Sequence, residues 1–533
     1  MKNYINEAVV IGSGPTGIIS AQKLASKNIK TLIIDYGETI EENIESNINK
    51  LRDIEENQWS DENLYKLHEN KKMSLSKIPL KLLFGSSFMY AFGSMVSNIV
   101  FKNIDYLVSF AKGGLSNVWG GAILPYRKEE FDNWPISYED LIKHYKFVLD
   151  KIGFSYYADD LDEFFPKYSN NVKKLNLSNQ MKNFEKKLLK NKKILNQLGF
   201  IFGRSRLAVN QLSQSCIYCG GCLYGCPKSI IYNSADSLEA LLKDNNISYK
   251  SKLLVKKIIE EKDVVKIVCK DSNDNYLNVY SKRVYLGAGA VSSTNIILNS
   301  YNFLESDTKL TLKDSQYFFI PALINYSQPF INKDKIHALC QYFLEIKNDN
   351  DKKNWSHLQI YGYNDLLKNK IKEKFGPLYF IFNFFIERFL LDKIIFIQGY
   401  LHSDLSREAS IKIKSKTEES IKLEIKQINN KYTIHAVKKI VNVLKKHSRL
   451  LGFYPIKTML SIGRFGRGFH VGSSMPMSKI NNKIGKSDIW GRPYMFKNVH
   501  IIDSSIMPTI ASTTITLTSM ANAVRIVDNH KNY

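Results

Sequence analysis

The stretch EAVVIGSGPTGIISAQKLASKNIKTLIID, residues 7–35, decides the fold. Its apolar start is typical of a buried strand, its middle of a helix and its end of a second strand. Gly12, Gly14 and Gly17 follow the first strand in the pattern G-x-G-x-x-G, in which the glycines allow a tight turn, a close approach to a pyrophosphate and close helix packing. Asp35 ends the second strand, where a carboxylate binds an adenosine ribose. The stretch predicts a dinucleotide site and leaves FAD and NAD(P) open.

Three further segments bear on the choice of cofactor. Residues 112–137 form a loop in which paired glycines leave room for a flat ring against the backbone, although an ordinary glycine-rich loop is the alternative. Residues 283–298 indicate a late strand of the same sheet followed by a helix, and residues 498–528 a strand that precedes a small-residue helix from about Thr516. The residues that we assign to cofactor binding in these segments are Gly113, Gly114, Ser116, Asn117, Trp119, Gly289 and Asp503.

Taken together, these segments resemble the glucose–methanol–choline (GMC) oxidoreductase family. The similarity covers residues 5–35, 112–140, 216–232, 283–298 and 468–528. It implies an α/β (α+β) fold with a discontinuous, Rossmann-like FAD domain and a substrate domain built on an antiparallel sheet. The expected division is FAD-binding parts at 1–155, 205–304 and 463–533, a helical insertion at 156–204 and a substrate domain at 305–462.

The resemblance also implies an activity, the oxidation of a CH–OH group in a sugar, polyol or other alcohol by hydride transfer to flavin. Some members bind FAD covalently through a histidine in a Ser-Thr-His-Trp segment. Val118 stands at that histidine's position here, so the resemblance predicts non-covalent FAD. His470 matches the family's catalytic histidine, with a satisfied structural histidine as the alternative.

Thr514 departs from the family, whose members have asparagine or histidine at this position. A threonine can donate a hydrogen bond to an alkoxide, but it cannot carry a positive charge. We therefore keep a second hypothesis, an FAD enzyme of reductase or desaturase-like chemistry whose electrons enter through the cysteine site.

That cysteine site is the run CIYCGGCLYGCP, residues 216–227. Cys216, Cys219, Cys222 and Cys226 have the spacing C-x₂-C-x₂-C-x₃-C-P of bacterial ferredoxins, which favours a 4Fe–4S cluster. The chain has one such run, and a similar loop occurs in GMC relatives not treated as iron–sulfur enzymes, so zinc and structural or free thiols remain alternatives. A cluster would make the protein a dehydrogenase that feeds an electron carrier, which the sequence does not identify.

The chain has 533 residues, 44% of them hydrophobic, which is typical of a multi-domain globular protein. Its formal net charge of +24 comes from dispersed lysines without a nucleic-acid-binding signature, so no nucleic-acid partner is expected. The N-terminus leads directly into a strand, which predicts a cytoplasmic protein.

Two apolar segments raise the question of membrane contact. Residues 82–101 are uncharged but broken by glycines and serines, and we interpret them as buried core. Residues 378–397 contain four charges, which makes a membrane span expensive, so we predict a core helix. The basic segment 368–374 before them keeps an interfacial helix, and with it a peripheral membrane-surface flavoprotein, as a third hypothesis.

Overall fold

The computed structural model describes residues 5–55, 59, 76, 78, 80–90, 98–209, 216–304, 308–326, 336–347, 355–363, 376, 393–417 and 420–530. In these residues the helices are α1 (Pro15–Ala25), α2 (Glu42–Asp53), α3 (Glu139–Ile152), α4 (Asn179–Lys190), α5 (Lys192–Gln197), α6 (Ser234–Leu241), α7 (Ala290–Ser300), α8 (Lys431–Lys446), α9 (Ser448–Leu451) and α10 (Thr516–Asp528).

The strands of the first half of the chain are β1 (Ile5–Ile11), β2 (Thr31–Ile34), β3 (Ile99–Lys102), β4 (Phe154–Ser155), β5 (Val172–Lys173), β6 (Phe200–Arg204), β7 (Ile247–Lys250), β8 (Leu254–Glu260), β9 (Val265–Lys270) and β10 (Tyr276–Leu286). Those of the second half are β11 (Lys309–Asp314), β12 (Tyr317–Ile324), β13 (Tyr342–Lys347), β14 (Trp355–Tyr361), β15 (Ile394–Tyr400), β16 (Glu408–Lys416), β17 (Ile421–Ile428), β18 (Phe453–Pro455), β19 (Ser461–Ile462), β20 (Val471–Gly472) and β21 (Val499–Ile501).

The first sheet has the strand order β7-β2-β1-β10-β9-β8. β1 pairs in parallel with β2 and β10, and the end of β10 pairs in parallel with β21. Ile11, Leu286 and Ile501 are register partners at the carboxyl ends of β1, β10 and β21. The segments that follow these strands therefore meet at one edge of the sheet, which is where open α/β sheets bind ligands.

The second sheet, β20-β11-β16-β17-β3, shares its core with the first sheet. The third sheet is antiparallel, with the order β18-β12-β15-β14-β13-β6, and β19 pairs with β12. Successive side chains of a strand point to opposite faces. On one face of the third sheet, Leu358 of β14 and Ile397 of β15 share a core with residues of α4 and α8. The side chains that alternate with them form the other face.

The fold class predicted from the sequence is confirmed, because a mainly parallel sheet that carries the glycine pattern is combined with an antiparallel sheet. β6 comes from the segment 156–204, which also contains α4 and α5, and it is an edge strand of the third sheet.

Most of the apolar segment 378–397 and all of the basic segment 368–374 lie outside the described residues, as does the middle of 82–101. In the part of the chain that is described, none of the helices is both long and apolar enough to cross a membrane.

Candidate active site

A long cavity runs along the edge of the first sheet and collects the predicted nucleotide-binding residues. It is lined by Gly12, Gly14 and Asp35 from the N-terminal segment and by Gly289, Asp503 and the first residue of α10 from later segments. Residues from the two ends of the chain and from its middle thus face a single space. This is the arrangement that a discontinuous dinucleotide domain requires.

The three glycines of the N-terminal pattern have different surroundings. A Cβ at Gly17 would lie 1.9 Å from the carbonyl oxygen of Gly12, so only glycine lets α1 pack against the turn. Gly12 has a φ of +101° and approaches the carbonyl of Gly287. A Cβ at Gly14 would meet nothing within 4 Å, because Gly14 borders the cavity. These are the roles that the sequence pattern predicts for the turn, the packing contact and the approach to a pyrophosphate.

Two carboxylates line the cavity. Asp35 accepts hydrogen bonds from the backbone N–H and the hydroxyl of Ser13, and burial raises the pKa of its carboxyl to about 6. Asp503 accepts hydrogen bonds from the N–H of Gly289 and the hydroxyl of Ser293, and burial raises its pKa as well. The Asp503 carboxyl therefore fixes the turn before α7, whereas Asp35 fixes the N-terminal turn through Ser13.

The glycine-rich loop separates this cavity from a second one. Gly114 lines the nucleotide cavity, and the N–H of Gly113 donates to Ser13 Oγ at 2.9 Å. Ser116, Asn117 and Trp119 instead line the second cavity.

The side chains of Ser116 and Asn117 form hydrogen bonds within the loop, and that of Trp119 connects the loop to Tyr232. The Ser116 hydroxyl donates to the Gly113 carbonyl oxygen at 2.6 Å, and the Asn117 amide donates to the Gly114 carbonyl oxygen at 2.7 Å. The indole of Trp119 donates to the Tyr232 carbonyl oxygen at 2.8 Å. The structure thus gives the three side chains a structural part in shaping the loop.

His470 lies between Phe469 and Val471, both of which line the nucleotide cavity. Its imidazole stacks on the ring of Tyr400, with centroids 4.9 Å apart and an interplanar angle of 24°. Burial, with a smaller contribution from His357, lowers the pKa of His470 to about 4. Its buried Nδ1 has no hydrogen-bond partner among the described residues. The side chain is therefore a neutral imidazole at neutral pH and can accept a proton.

Thr514, the predicted second catalytic residue, contacts a backbone group of a distant chain segment. It is buried, and its hydroxyl oxygen accepts a hydrogen bond from the N–H of Leu124 at 2.9 Å. The neighbouring Thr513 is also buried, but its hydroxyl has no partner in the described part of the chain. Of the two adjacent hydroxyls, that of Thr513 is the one left for a ligand.

The other face of the third sheet contacts His470 through the ring of Tyr400, which belongs to β15. Its side chains are polar and aromatic, although most are buried: Tyr317, Phe319, Glu345, His357, Gln359, Tyr361, Gln398 and Tyr400. The Tyr361 hydroxyl lies within 3.1 Å of Gln359 Oε1 and 3.3 Å of Gln398 Oε1. We call these eight residues the polar sheet face.

Sequence reasoning missed the polar sheet face. The signal was present in β14 and β15, where WSHLQIY and IIFIQGY place histidine, glutamine and tyrosine at every second position between aliphatic residues. In an antiparallel strand such alternation separates one packed face from one that faces a ligand or solvent.

The cysteine run folds into a loop beside the second cavity. Cys222 is buried, and the other three cysteines of the run are partly exposed. Burial raises the pKa of Cys222 and, less strongly, that of Cys226, whose sulfur accepts a hydrogen bond from the N–H of Ile230 at 3.3 Å. Among the residues that the structure describes, there is no group of three or more Cys, His, Asp or Glu side chains that could hold a metal ion. The structure therefore gives the predicted cluster no support.

Comparisons with known proteins extend the description of the fold. Neither a protein-family model nor a curated protein matches the chain. Among solved structures, 690 chains match it, so the fold is a common one and does not by itself indicate a substrate. One of them is pyridoxine 4-oxidase from Mesorbium loti, with 11% sequence identity, 99% of both chains covered and a TM-score of 0.60. Its fold is that of the GMC family, so the resemblance inferred from the motifs is confirmed at the level of the fold.

Proposed function

We propose that the protein is an FAD-dependent oxidoreductase that oxidises a CH–OH group of a sugar, polyol or other small alcohol. One observation carries the proposal: the cavity that contains the dinucleotide residues is also lined by both neighbours of His470. A neutral histidine beside a dinucleotide cavity is suited to accept a hydroxyl proton.

The residues around the cavity fit FAD. Gly14 and Gly289 each leave open space where a side chain would stand, and Asp35 and the first residue of α10 both line the cavity. Val118 offers no nucleophile, which supports non-covalent binding. When bound, FAD supplies the two-electron acceptor for this chemistry. Acid precipitation tests the binding mode, because a non-covalent flavin remains in the supernatant.

Each protein group near His470 has a defined part in the proposal. His470 accepts the hydroxyl proton as the carbon is oxidised, and the substrate leaves as an aldehyde or ketone. The amides and hydroxyls of Gln359, Gln398 and Tyr361 orient the substrate's other hydroxyl groups. Glu345 is paired with Arg127, so the carboxylate of the polar sheet face is already neutralised. A neutral, polyhydroxylated substrate suits this surface better than a charged one.

The first test replaces His470 by glutamine and follows flavin reduction by a panel of alcohols, sugars and polyols without oxygen. Loss of a general base slows the reaction by roughly 10²- to 10⁴-fold. His435, an exposed histidine of α8, provides the matched control H435Q, which we expect to behave as the wild type. FAD content and reduction by dithionite should be the same in all three proteins. Unchanged flavin reduction in H470Q would remove the role of His470.

The pH dependence of the same reaction provides a second prediction. Because the pKa of His470 is lowered to about 4, the base is unprotonated throughout the neutral range. We expect the rate of flavin reduction to stay constant from neutral pH downward and to fall only near pH 4. A decline centred near the ordinary histidine pKa of about 6.5 would contradict the buried environment described here.

The electron acceptor and the cysteine run need a separate experiment. The second cavity, which Cys222 and Cys226 line, is separated from the nucleotide cavity by the loop that contains Gly114 and Trp119. Iron and acid-labile sulfide, measured on protein purified without oxygen, would identify a cluster and with it an electron exit. Flavin reduction by a ferredoxin but by none of the alcohols would instead favour the reductase or desaturase-like alternative.

A further inference from the structure

Three polar or aromatic side chains of the polar sheet face form one row across neighbouring strands. Glu345 of β13 is the register partner of His357 of β14, and His357 is the register partner of Tyr400 of β15. Glu345 and His357 are fully buried, and Glu345 Oε1 lies 2.5 Å from His357 Nδ1. The pairing of the strands, and not a loop, therefore fixes the order Glu345–His357–Tyr400.

The Glu345 end of the row is anchored by Arg127, which follows the second glycine pair of the loop, Gly120 and Gly121. Its Nη2 lies 2.6 Å from Glu345 Oε2, and the guanidinium lies over the rings of Phe164 and Trp355 at 4.8 and 4.4 Å. Side chains of Arg127 and Glu345 are 4% and 0% exposed. A buried ion pair of this kind holds its partners in a single arrangement, because removing either partner leaves a charge without compensation.

The Tyr400 end of the row contacts the histidine of the active site. The ring of Tyr400 contacts two histidine rings, that of His357 at 6.2 Å and 29° and that of His470 at 4.9 Å and 24°. General bases are commonly oriented by a third group that accepts a hydrogen bond from the distal ring nitrogen. His470 Nδ1 has no such partner in the described part of the chain. The aromatic stack is thus the contact in the structure that sets the plane of its imidazole.

We propose that Glu345 and His357 are positioning residues for His470, which act through the ring of Tyr400. The hydrogen bond from His357 Nδ1 to Glu345 holds the His357 ring, that ring supports Tyr400, and Tyr400 holds the imidazole of His470 in plane. The inference rests on the proposed function, in which His470 is the base. It adds that the orientation of the His470 imidazole depends on the buried Arg127–Glu345 ion pair at the other end of the row. A buried, satisfied Glu–His pair that only stabilises the sheet is the competing explanation.

The experiment uses the FAD-bound protein and a readout that requires no substrate. Diethyl pyrocarbonate modifies neutral, accessible imidazoles, and peptide mass spectrometry gives the rate at each histidine separately. His357→Phe keeps an aromatic ring against Tyr400 but removes the hydrogen bond to Glu345. Tyr400→Leu removes the stacking ring, and Tyr400→Phe is the matched control that removes the hydroxyl alone. Flavin reduction by the best alcohol of the panel is measured on the same proteins.

We expect Y400L and H357F to change the modification rate at His470 several-fold while the rate at exposed His435 stays constant. In both variants flavin reduction should slow by roughly tenfold or more at unchanged KM, since a misplaced base loses rate and not substrate affinity. Y400F should keep the wild-type modification rate at His470, because it retains the stacking ring. If H357F unfolds, the double variant R127M/E345Q replaces it, because it removes the anchoring charges without leaving one unpaired.

The inference is overturned if H357F leaves the modification rate at His470 unchanged. It is equally overturned if every histidine changes together with the melting temperature and the FAD content, which is the signature of a merely structural pair. Failure of the proposed function looks different: no alcohol reduces the wild-type flavin, while the modification rates still decide whether the row positions His470.

Discussion

The nucleotide cavity and the polar sheet face are built in opposite ways. The N-terminal part of the cavity depends on backbone features that are close together in the chain, namely the turn of Gly12 and Gly14 and the acid that ends the next strand. The polar sheet face depends on side chains that lie far apart in the sequence and meet only through strand register. The first can be recognised in a short motif, whereas the second exists only once the sheet has formed.

The largest expected effect is at the buried ion pair of the polar sheet face. Arg127→Met leaves the fully buried Glu345 carboxylate without its cation, and we expect a loss of about 3–5 kcal/mol in the free energy of unfolding. Urea unfolding of the FAD-free protein measures it.

The pair of Lys146 and Asp150 provides the control for the Arg127 variant. It has the same N–O distance of 2.6 Å, but its side chains are 61% and 40% exposed. Lys146→Met should therefore change the free energy of unfolding by less than about 0.5 kcal/mol. Equal losses in the two variants would show that burial of the Arg127 pair does not determine its importance.

The next largest effect on stability distinguishes Gly17 from Gly14 in the N-terminal glycine pattern. Gly17→Ala places a Cβ against the backbone carbonyl of Gly12, a contact that no rotamer relieves, and should lower the free energy of unfolding by about 3 kcal/mol. Gly14→Ala meets no protein atom within 4 Å and has a φ of −66°, which alanine adopts freely.

G14A should therefore fold as stably as the wild type but bind FAD more weakly, because its methyl group enters the cavity. Isothermal titration of the FAD-free proteins with FAD measures this difference. Full FAD affinity in G14A would mean that the pyrophosphate does not approach this turn.

The same contrast explains how much could be predicted from the sequence. The turn glycines and Asp35 have a local reason for their identity, so their positions in the cavity follow from the motif. Ser116, Asn117 and Trp119 were assigned to the cofactor because they lie in a glycine-rich loop, but the direction of a side chain in a loop depends on its hydrogen bonds. In the structure, all three residues line the second cavity.

The polar sheet face shows what could not be predicted from the sequence. Alternating residues in β14 and β15 mark one face of each strand, but they do not say which strands are neighbours. The pairing of Glu345 with His357 and Tyr400 depends on register across three strands, and Arg127 joins them from a region more than two hundred residues earlier. Contacts of such long range leave no spacing rule in a single sequence.

The smallest effect concerns the two threonines between these regions. Thr514→Val removes the acceptor of the buried Leu124 N–H, and an unsatisfied buried donor costs about 2 kcal/mol. Thr513→Val removes a hydroxyl that has no partner among the described residues, so the free energy of unfolding should stay the same or rise slightly. Urea unfolding measures both.

Flavin reduction by the alcohol panel then decides which hydroxyl serves the substrate. We expect T513V to reduce its flavin more slowly although it is stable, and T514V to keep its rate under conditions in which it is folded. The reverse result would return Thr514 to the catalytic position that its alignment with the family implies. It would also mean that the hydrogen bond between Leu124 and Thr514 breaks when substrate binds. The function of the C-terminal segment, like that of the polar sheet face, would then depend on contacts that the motif alone does not specify.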